Sequence, residues 1–238
     1  MLVTLVPNLI TKNYIFSGLG SKLEIIINPV KVEADVGTNR PVIKYPAKFL
    51  KTTLKPFPAA SAHIQQKLAA MDPFVIPNVF FRRPRRIELL SKYKKMKDFV
   101  QNRRNPQNSL WFQTMMNEIR RKGFVKHKHM VMYNADHVAN FFECYVLDLV
   151  ESMSTQGYQK NKAGDTGSAI VGPQGQLYKS WSGNHRFYAA RILKIRQMPL
   201  RIVGVHAHWF NSVVGCSSRD MLSRVRCGLE SVEQHYSN

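Results

Sequence analysis

The run Leu200 to His206, "LRIVGVH", constrains the fold of this chain more than any other segment. It is rich in β-branched residues and apolar on both faces, which is typical of a central strand of a sheet. Met198 and Pro199 lead into it from a helix predicted over residues 185–195. The run therefore predicts a sheet with helices packed against it.

Several elements ahead of this run can be predicted from their ends and their periodicity. Asn134 can cap a long helix that ends before Gly157, and its apolar residues recur at three- and four-residue steps. Ser109 can cap an earlier helix that Gly123 closes. Between these helices, residues 124–133 alternate enough to predict a strand.

Two short strands and a turn separate the long helix from the helix over residues 185–195. The segment "SAIVG" predicts one strand, and "QLYKSWS" predicts the other, with Leu177, Lys179 and Trp181 on one side. After the central strand, the sequence predicts a terminal helix that is broken near Gly228.

The order of these elements predicts an α+β fold, a small mixed sheet with packed helices, in a chain of three parts. Residues 1–104 are predicted to be a basic N-terminal extension, irregular and partly β up to about residue 80 and helical after it. Residues 105–210 are the predicted core, and residues 211–238 are a predicted helical tail.

The charge of the chain favours polyanionic partners. Lys and Arg number 35 against 15 Asp and Glu, a formal net charge of +20, which suits nucleic acid, phosphorylated ligands or an anionic surface. A charge that serves only solubility is the alternative interpretation. Three cysteines without CxxC spacing, no signal-peptide pattern and no long apolar run predict a soluble cytoplasmic protein outside the membrane.

The basic segment, residues 82–104, concentrates this charge. Ten basic residues stand against two acidic ones, a local net charge of +8, and a partial apolar stripe indicates a helix. Such a helix can lie against phosphates and bind nucleic acid without base specificity, or its charges can simply face water. The candidate nucleic-acid-binding residues are Arg82, Arg83, Arg85, Arg86, Lys94 and Lys95.

The quartet Gly183-Asn184-His185-Arg186 stands between a predicted strand and a predicted helix. A glycine there lets the backbone approach a ligand closely, and the start of a helix directs the positive end of its dipole at one spot. His185 and Arg186 add side-chain donors, and Arg186 can hold a phosphate with two hydrogen bonds. The quartet predicts an anion cradle, with an ordinary helix N-terminus as the alternative.

Residues 124–207 resemble the ParB/sulfiredoxin-like superfamily. The order of the elements matches, and so do several residues. These are Glu151, Ser152, Met153, Gly157, the quartet itself, Ala189, Ala190 and Pro199. The resemblance implies a small nucleotide-binding fold over somewhat less than half of the chain.

The resemblance further implies that the quartet holds the phosphates of a nucleoside triphosphate, ATP or CTP, together with Mg²⁺. On this basis the nucleotide- or phosphate-binding candidates are Gly157, Gly183, Asn184, His185 and Arg186. The loop that begins at Gly157 is implied to lie over the same pocket.

Asn184 marks the departure of this sequence from the superfamily. Sulfiredoxins carry their catalytic cysteine there, and an amide cannot act as the sulfur nucleophile, so the chain is not predicted to be a sulfiredoxin. Partition proteins usually carry a glutamate there, and an amide cannot act as a base, which argues against fast triphosphate hydrolysis. The remaining catalytic or metal-binding candidates are Glu151 and Asp165, although Glu151 can equally be an exposed helix residue.

Two HxH pairs lie outside the pattern of the superfamily. His127 with His129, and His206 with His208, would each share one face of an extended strand. Four histidines can bind a transition metal if the two strands are neighbours. The alternative is two unrelated pairs at the ends of strands.

Two functions follow as hypotheses. The first is a nucleotide-binding protein that holds ATP or CTP at the quartet, with an NTPase or a small-molecule phosphotransferase as its enzymatic form. The second is a DNA- or RNA-binding protein of partition or nuclease type, in which the basic segment makes the contacts.

Overall fold

The chain folds into helices packed on a mixed β-sheet. The computed structural model describes residues 10–37, 53, 56–70, 72–127, 130–160, 166–215 and 220–237. Within these residues a seven-stranded sheet and a separate two-stranded hairpin accompany the helices, which confirms the predicted α+β class. His129 and Asp165, two predicted site residues, lie outside the described residues.

The strands are numbered in chain order. They are β1 (Glu24–Ile27), β2 (Ala34–Asp35), β3 (Val75–Ile76), β4 (Arg85–Arg86), β5 (Val125–His127), β6 (Met130–Met132), β7 (Gly167–Val171), β8 (Leu177–Lys179) and β9 (Met198–His206). The main sheet has the order β1-β9-β7-β8-β2-β4, and β3 pairs with β9 outside this path. Because β9 lies antiparallel to β1 and parallel to β7 and β3, the prediction of a central strand is confirmed.

The helices are numbered in the same way. They are α1 (Lys12–Leu19), α2 (Pro58–Ala70), α3 (Ser91–Gln101), α4 (Leu110–Lys122), α5 (Ala135–Phe141), α6 (Asp148–Gln156), α7 (Asn184–Ile192), α8 (Ala207–Val214) and α9 (Met221–Ser237). A π-helical segment, Phe142–Leu147, joins α5 to α6, so the predicted long helix is continuous. In the described parts of the chain, no helix has both the length and the apolar character needed to cross a membrane.

The helix ends predicted from capping residues are confirmed. The Ser109 side chain accepts a hydrogen bond from the Phe112 N–H at 3.2 Å, and Gly123 closes α4 with a φ of 80°. At the start of α5, the Asn134 side chain accepts from the His137 N–H at 2.9 Å. Each cap joins residues three apart in the chain, which is why the sequence alone predicts it.

Residues 124–133 form two strands rather than the single one predicted. β5 and β6 pair antiparallel, with Val125 opposite Met132 and His127 opposite Met130. Alternation of apolar residues continues through both arms, so the pattern does not reveal that the chain turns back between them.

The N-terminal part of the chain is built into the main sheet. Strands β1 to β4 all come from residues before the predicted boundary at residue 104. β1 pairs with β9, and β2 lies between β8 and β4. Ile25 and Ile27 of β1 are fully buried, so this strand completes the core. Within the described residues the N-terminal region is therefore not the separate, irregular extension that was predicted.

Helix α9 runs through Gly228 without the predicted break. A Cβ at Gly228 would lie 2.8 Å from Val213 Cγ1 and 3.0 Å from the Trp209 ring, so the glycine allows α9 to pack closely on α8. Helix α9 also packs on β1, where the Glu233 carboxylate accepts a hydrogen bond from the Ile26 N–H at 2.8 Å. This segment is therefore part of the packed structure rather than a tail.

Helix α7 lies against strand β7 of the main sheet. It packs against α3, and its C-terminal end is held by Arg191. The Arg191 guanidinium donates to the carbonyl oxygens of Pro29 and Val32, both at 2.9 Å, and also to Val30 and to the Glu88 carboxylate. Burial acts to raise the pKa of Glu88, but the hydrogen bond from Arg191, a backbone hydrogen bond and the charges of Arg191 and Arg86 together lower that pKa.

Candidate functional site

A cavity of about 650 Å³ opens at the N-terminal end of α7. Its wall comes from α3, α4, β5, the π segment, α6 and the loops that follow α6 and β8. Aromatic rings and cations are prominent in this wall, whereas a carboxylate occurs once among the described lining residues. Cavities of this size hold small-molecule ligands, so we call it the site cavity.

Gly183 begins α7 with a left-handed backbone, at φ 68° and ψ 25°. A Cβ at this position would lie 2.5 Å from Gly167 Cα in β7, so glycine is required for the contact between the loop and the strand. Gly183 also lines the site cavity. The close approach predicted for this glycine is therefore made to the protein's own strand β7.

The side chain of Asn184 holds the loop of residues 180–184, which we call the cradle loop. Its Oδ1 accepts a hydrogen bond from Lys179 Nζ at 3.1 Å, and its Nδ2 donates to the Trp181 carbonyl oxygen at 3.3 Å. Lys179 is fully buried, and its ammonium donates to two further oxygens of the same loop. The Asn184 amide therefore stabilises the cradle loop through its two hydrogen bonds.

His185 lies in a cluster of rings beside the cradle loop. Its ring centroid is 5.2 Å from those of both Trp111 and His127 and 5.9 Å from that of Tyr145. All four side chains line the site cavity. The ring of His185 is therefore part of an aromatic wall next to the predicted phosphate position.

Arg186 lines the site cavity near Tyr158, which belongs to the loop after α6. Burial raises the pKa of Tyr158, and the charge of Arg186 acts against this rise. Lys160 of the same loop forms an ion pair with Glu24 of β1, which holds the loop against the sheet. Gly157 ends α6 with a φ of 70° and is not among the described lining residues, whereas the next residue, Tyr158, does line the cavity.

Residues of the basic segment divide between the site cavity and the edge of the main sheet. Lys92 and Lys95 line the cavity, because α3 packs against α7. Arg85 and Arg86 form the edge strand β4, where their side chains are 72% and 77% exposed. Also exposed are Arg82, Arg83 and Lys94. The segment predicted as one nucleic-acid contact therefore contributes to two separate surfaces.

The carboxylate in the cavity wall is Asp148. Lining residues recur every four positions along the π segment and α6, as Cys144, Asp148 and Ser152 do, and the wider π turn favours this spacing. Glu151 lies one position before Ser152, is exposed and does not line the cavity. Asp148 therefore replaces Glu151 as the carboxylate candidate.

A four-histidine metal site was predicted on the condition that the two strands carrying the histidine pairs are neighbours, and this condition is not met. His127 lies on β5 in the hairpin and His206 on β9 in the main sheet, so the two strands are not neighbours. His206 Nδ1 accepts from the His208 N–H at 3.0 Å at the start of α8, and burial lowers the pKa of His206. Among the residues that the structure describes, which do not include His129, no group of three or more His, Cys, Asp or Glu residues is arranged to hold a metal ion.

The sequence-based prediction missed Lys179, Asp148 and the rings of Trp111 and Tyr158. For Lys179 a signal was present, because alternation along β8 places it on the same side as Leu177, which is buried. The other three reach the cavity only through the packing of α4, α6 and the loop after α6. No pattern in the local sequence indicates contacts that depend on the packing of distant elements.

Comparisons with protein-family models, with curated proteins and with solved structures find no match to this chain. The resemblance to the ParB/sulfiredoxin-like superfamily therefore stays a prediction. Function has to be argued from the site cavity itself.

Proposed function

We propose that the protein binds a nucleotide in the site cavity, with the phosphates at the start of α7 and the base against the aromatic wall. One observation carries this proposal. Lys92 and Lys95 of α3 meet Arg186 in the first turn of α7, in a cavity that is also lined by aromatic rings.

The positive groups of the cavity suit a ligand with several phosphates. Helix α7 directs the positive end of its dipole to the cavity. Lys92 and Lys95 supply point charges, and Arg186 supplies a planar fork that can bind a phosphate with two hydrogen bonds. Because Asp148 is the one carboxylate among the described lining residues, positive charge is in excess. An anion is therefore favoured over a neutral ligand.

The aromatic rings of the cavity suit a base. Trp181 is 51% exposed although it lines the cavity, and the Lys12 ammonium lies 5.0 Å from its ring centroid. Tyr145 and Tyr158 add two further rings to the wall. Purines and pyrimidines both stack favourably on such rings. ATP and CTP both satisfy this description.

Mg²⁺ fits the proposed ligand. Magnesium ions are usually held by one or two carboxylates together with phosphate oxygens and waters, and Asp148 is the carboxylate available in the described wall. The ion would neutralise part of the phosphate charge. We assign binding and no reaction, because the Asn184 amide cannot act as a base and is already bonded to Lys179 and Trp181.

Calorimetry of the full chain with ATP, CTP and inorganic tripolyphosphate, each with Mg²⁺, tests the proposal. We expect Arg186→Ala and Lys92→Ala each to weaken triphosphate binding by about tenfold or more, because each removes a charged hydrogen-bond donor. The tripolyphosphate arm measures the contribution of the phosphates without a base.

Two exposed cations outside the cavity wall provide matched controls, Arg196→Ala beyond the end of α7 and Lys97→Ala on α3. Both variants should bind as the original chain does. No binding of any of the three ligands, or an unchanged affinity in Arg186→Ala and Lys92→Ala, contradicts the proposal.

A second candidate function, binding of DNA or RNA, is favoured by the exposed edge strand β4. Arg85 lies 3.8 Å from Asp35 and is otherwise directed to solvent, as is Arg86. Contacts between such arginines and the phosphates of nucleic acid release counterions, so affinity for a duplex should fall steeply with salt. Joint replacement of Arg82, Arg83, Arg85 and Arg86 by Ala should flatten that dependence. Absence of duplex binding at low salt excludes this function.

A further inference from the structure

Lys179 is a charged residue in a place where lysines are rarely found. It is the last residue of β8 and is 0% exposed. Burial of an ammonium is costly unless hydrogen-bond partners compensate for the lost water. The groups that Lys179 contacts therefore indicate what this buried charge does.

The ammonium of Lys179 is bonded to three oxygens of the cradle loop. They are the backbone oxygens of Ser180 and Ser182 and the Oδ1 of Asn184, the last at 3.1 Å. An ammonium has three N–H donors, and the loop provides three acceptor oxygens. The loop between β8 and α7 thus closes around this side chain as it would around a bound cation.

The same loop is also fixed from the side of β7, and it leads directly into α7. The Ser182 N–H donates to Ser168 Oγ at 3.0 Å, and Gly183 packs on Gly167. The Phe187 N–H then donates to the Gly183 carbonyl oxygen at 3.0 Å in the first turn of the helix. Lys179 and β7 together therefore determine where the start of α7 points.

Groups from three elements, β2, α3 and α7, lie near Lys179. Burial lowers the pKa of Lys179 to about 7, while Asp35 of β2 favours the charged form and Lys92 of α3 opposes it. Arg85 of β4 lies 3.8 Å from Asp35 and competes for that carboxylate. Phe187 of α7 places its ring centroid 5.6 Å from the ammonium.

We propose that Lys179 is the positioning residue of the anion site: its ammonium holds the cradle loop so that the first turn of α7 faces the site cavity, and this hold loosens when Lys179 loses its proton. This opening of the loop leaves the Lys179 side chain buried, unlike unfolding, in which the amine regains water, so the two respond to pH with opposite signs. A buried neutral amine has two N–H donors instead of three, and one loop oxygen then loses its bond. The inference rests on the proposed nucleotide function for its ligand, whereas the hold on the loop is a property of the protein alone.

Amide hydrogen exchange of the full chain without ligand tests the hold directly, at about pH 6 and about pH 8.5, on either side of the Lys179 titration. The reporters are the amides of Ser182 and Phe187. Their protection factors should fall by about tenfold between the two pH values, and in Lys179→Met they should already be about tenfold lower at the acid pH. The Val36 amide, which donates to the Lys179 carbonyl oxygen at 2.9 Å, should keep its protection as an internal control.

A matched variant, Lys22→Met, removes an exposed lysine and should exchange as the original chain does. The pH profile of the original chain needs no variant, so the test remains decisive even if Lys179→Met does not fold. Protection of Ser182 and Phe187 that is independent of pH, or that rises with pH as the stability of the whole fold does, overturns the proposal.

Calorimetry with inorganic tripolyphosphate at the same two pH values connects the hold to binding. At the acid pH the original chain should bind about tenfold more tightly than Lys179→Met, and the ratio should approach one at the alkaline pH. If exchange behaves as expected but neither tripolyphosphate nor ATP binds, the proposed function fails and the hold on the loop stands. If Lys179→Met binds at the acid pH as tightly as the original chain, the proposed function stands and this inference fails.

Discussion

The two ends of α7 are each held by a cation, a partly buried arginine at one end and a fully buried lysine at the other. At the C-terminal end, Arg191 donates to backbone oxygens of residues 29–32 and to the carboxylate of Glu88. At the N-terminal end, Lys179 donates to three uncharged oxygens of the cradle loop. One end thus contains an ion pair, and the other contains a charge surrounded by neutral acceptors.

Because of this difference, the contact at the C-terminal end of α7 does not depend on pH, whereas the contact at its N-terminal end does. A guanidinium keeps its charge at every pH at which proteins fold. The hydrogen bond and charge of Arg191 contribute to the lowering of the Glu88 pKa, which occurs despite burial. Burial of Lys179, with no carboxylate among its hydrogen-bond partners, lowers its pKa to about 7. The adjustable end is the one that faces the site cavity. Two cations in similar numbers of hydrogen bonds can therefore serve different purposes.

Replacement of Arg191 should have the largest effect on stability. Arg191→Met leaves several carbonyl oxygens and the Glu88 carboxylate without their donor, so the free energy of unfolding should fall by about 3 kcal/mol. Urea denaturation at about pH 6 and about pH 8.5 should give the same loss, because a guanidinium does not titrate there. Arg196→Met, at an exposed position, is the control. An equal loss of stability in Arg191→Met and Arg196→Met would show that the hydrogen bonds of Arg191 do not stabilise the C-terminal end of α7.

Gly183→Ala should come next. The variant places a Cβ in a left-handed backbone and against Gly167 Cα at 2.5 Å, so unfolding should become easier by about 2–3 kcal/mol. Gly123→Ala has a similar backbone, at φ 80° and ψ −12°, with no atom within 4 Å of the added Cβ. It should cost about 1 kcal/mol. Denaturation curves that coincide for the two variants would show that the contact with β7 contributes nothing.

The pH dependence of stability should reveal Lys179. Its pKa is lower in the folded chain than in the unfolded one, so between about pH 7 and about pH 10 the unfolded state binds the extra proton. Rising pH in this window should therefore favour the folded chain, by about 1.4 kcal/mol per unit. Below it both states are protonated and this contribution is constant. Urea denaturation of the original chain and of Lys179→Met measures the difference, and parallel pH profiles would refute the assignment.

Asn184→Asp should have the smallest effect and the most specific one. A carboxylate in place of the amide that lies 3.1 Å from Lys179 Nζ favours the ammonium, so the pKa of Lys179 should rise by about one unit or more. The rise of stability with pH should then begin near pH 8 instead of pH 7. Asn211→Asp adds the same charge at an exposed position on α8 and should leave the onset unchanged. An identical onset in both variants speaks against contact between residue 184 and Lys179.

Local features of the fold were predictable, and features that depend on distant neighbours were less so. Ser109, Gly123 and Asn134 mark helix ends correctly, because a cap is a contact within one turn. The predicted break at Gly228 was wrong, because this glycine allows α9 to pack closely on Val213 and Trp209 of α8. Chain order alone did not place strands β1 to β4 in the main sheet either, since their partners lie far away in the sequence.

The candidate site divides in the same way. The quartet was found from its residue types, and the structure places it at a cavity. Asp148 in place of Glu151 follows from the π segment, a local irregularity that the apolar periodicity does not show. The convergence of Lys92 and Lys95 with Arg186 requires α3 to pack on α7. Alternation along β8 pointed Lys179 inward but did not name its three partners.

By itself the sequence determined the class of the fold, the central strand from Leu200 to His206, the helix ends at Ser109, Gly123 and Asn134, and the excess of positive charge. These depend on residue type and on contacts between near neighbours in the chain. Only the tertiary structure decided which cations meet at the cavity and which of them are buried. The pKa of Lys179 depends on the groups that exclude water from it, and those groups come from strands and helices that only the folded chain brings together.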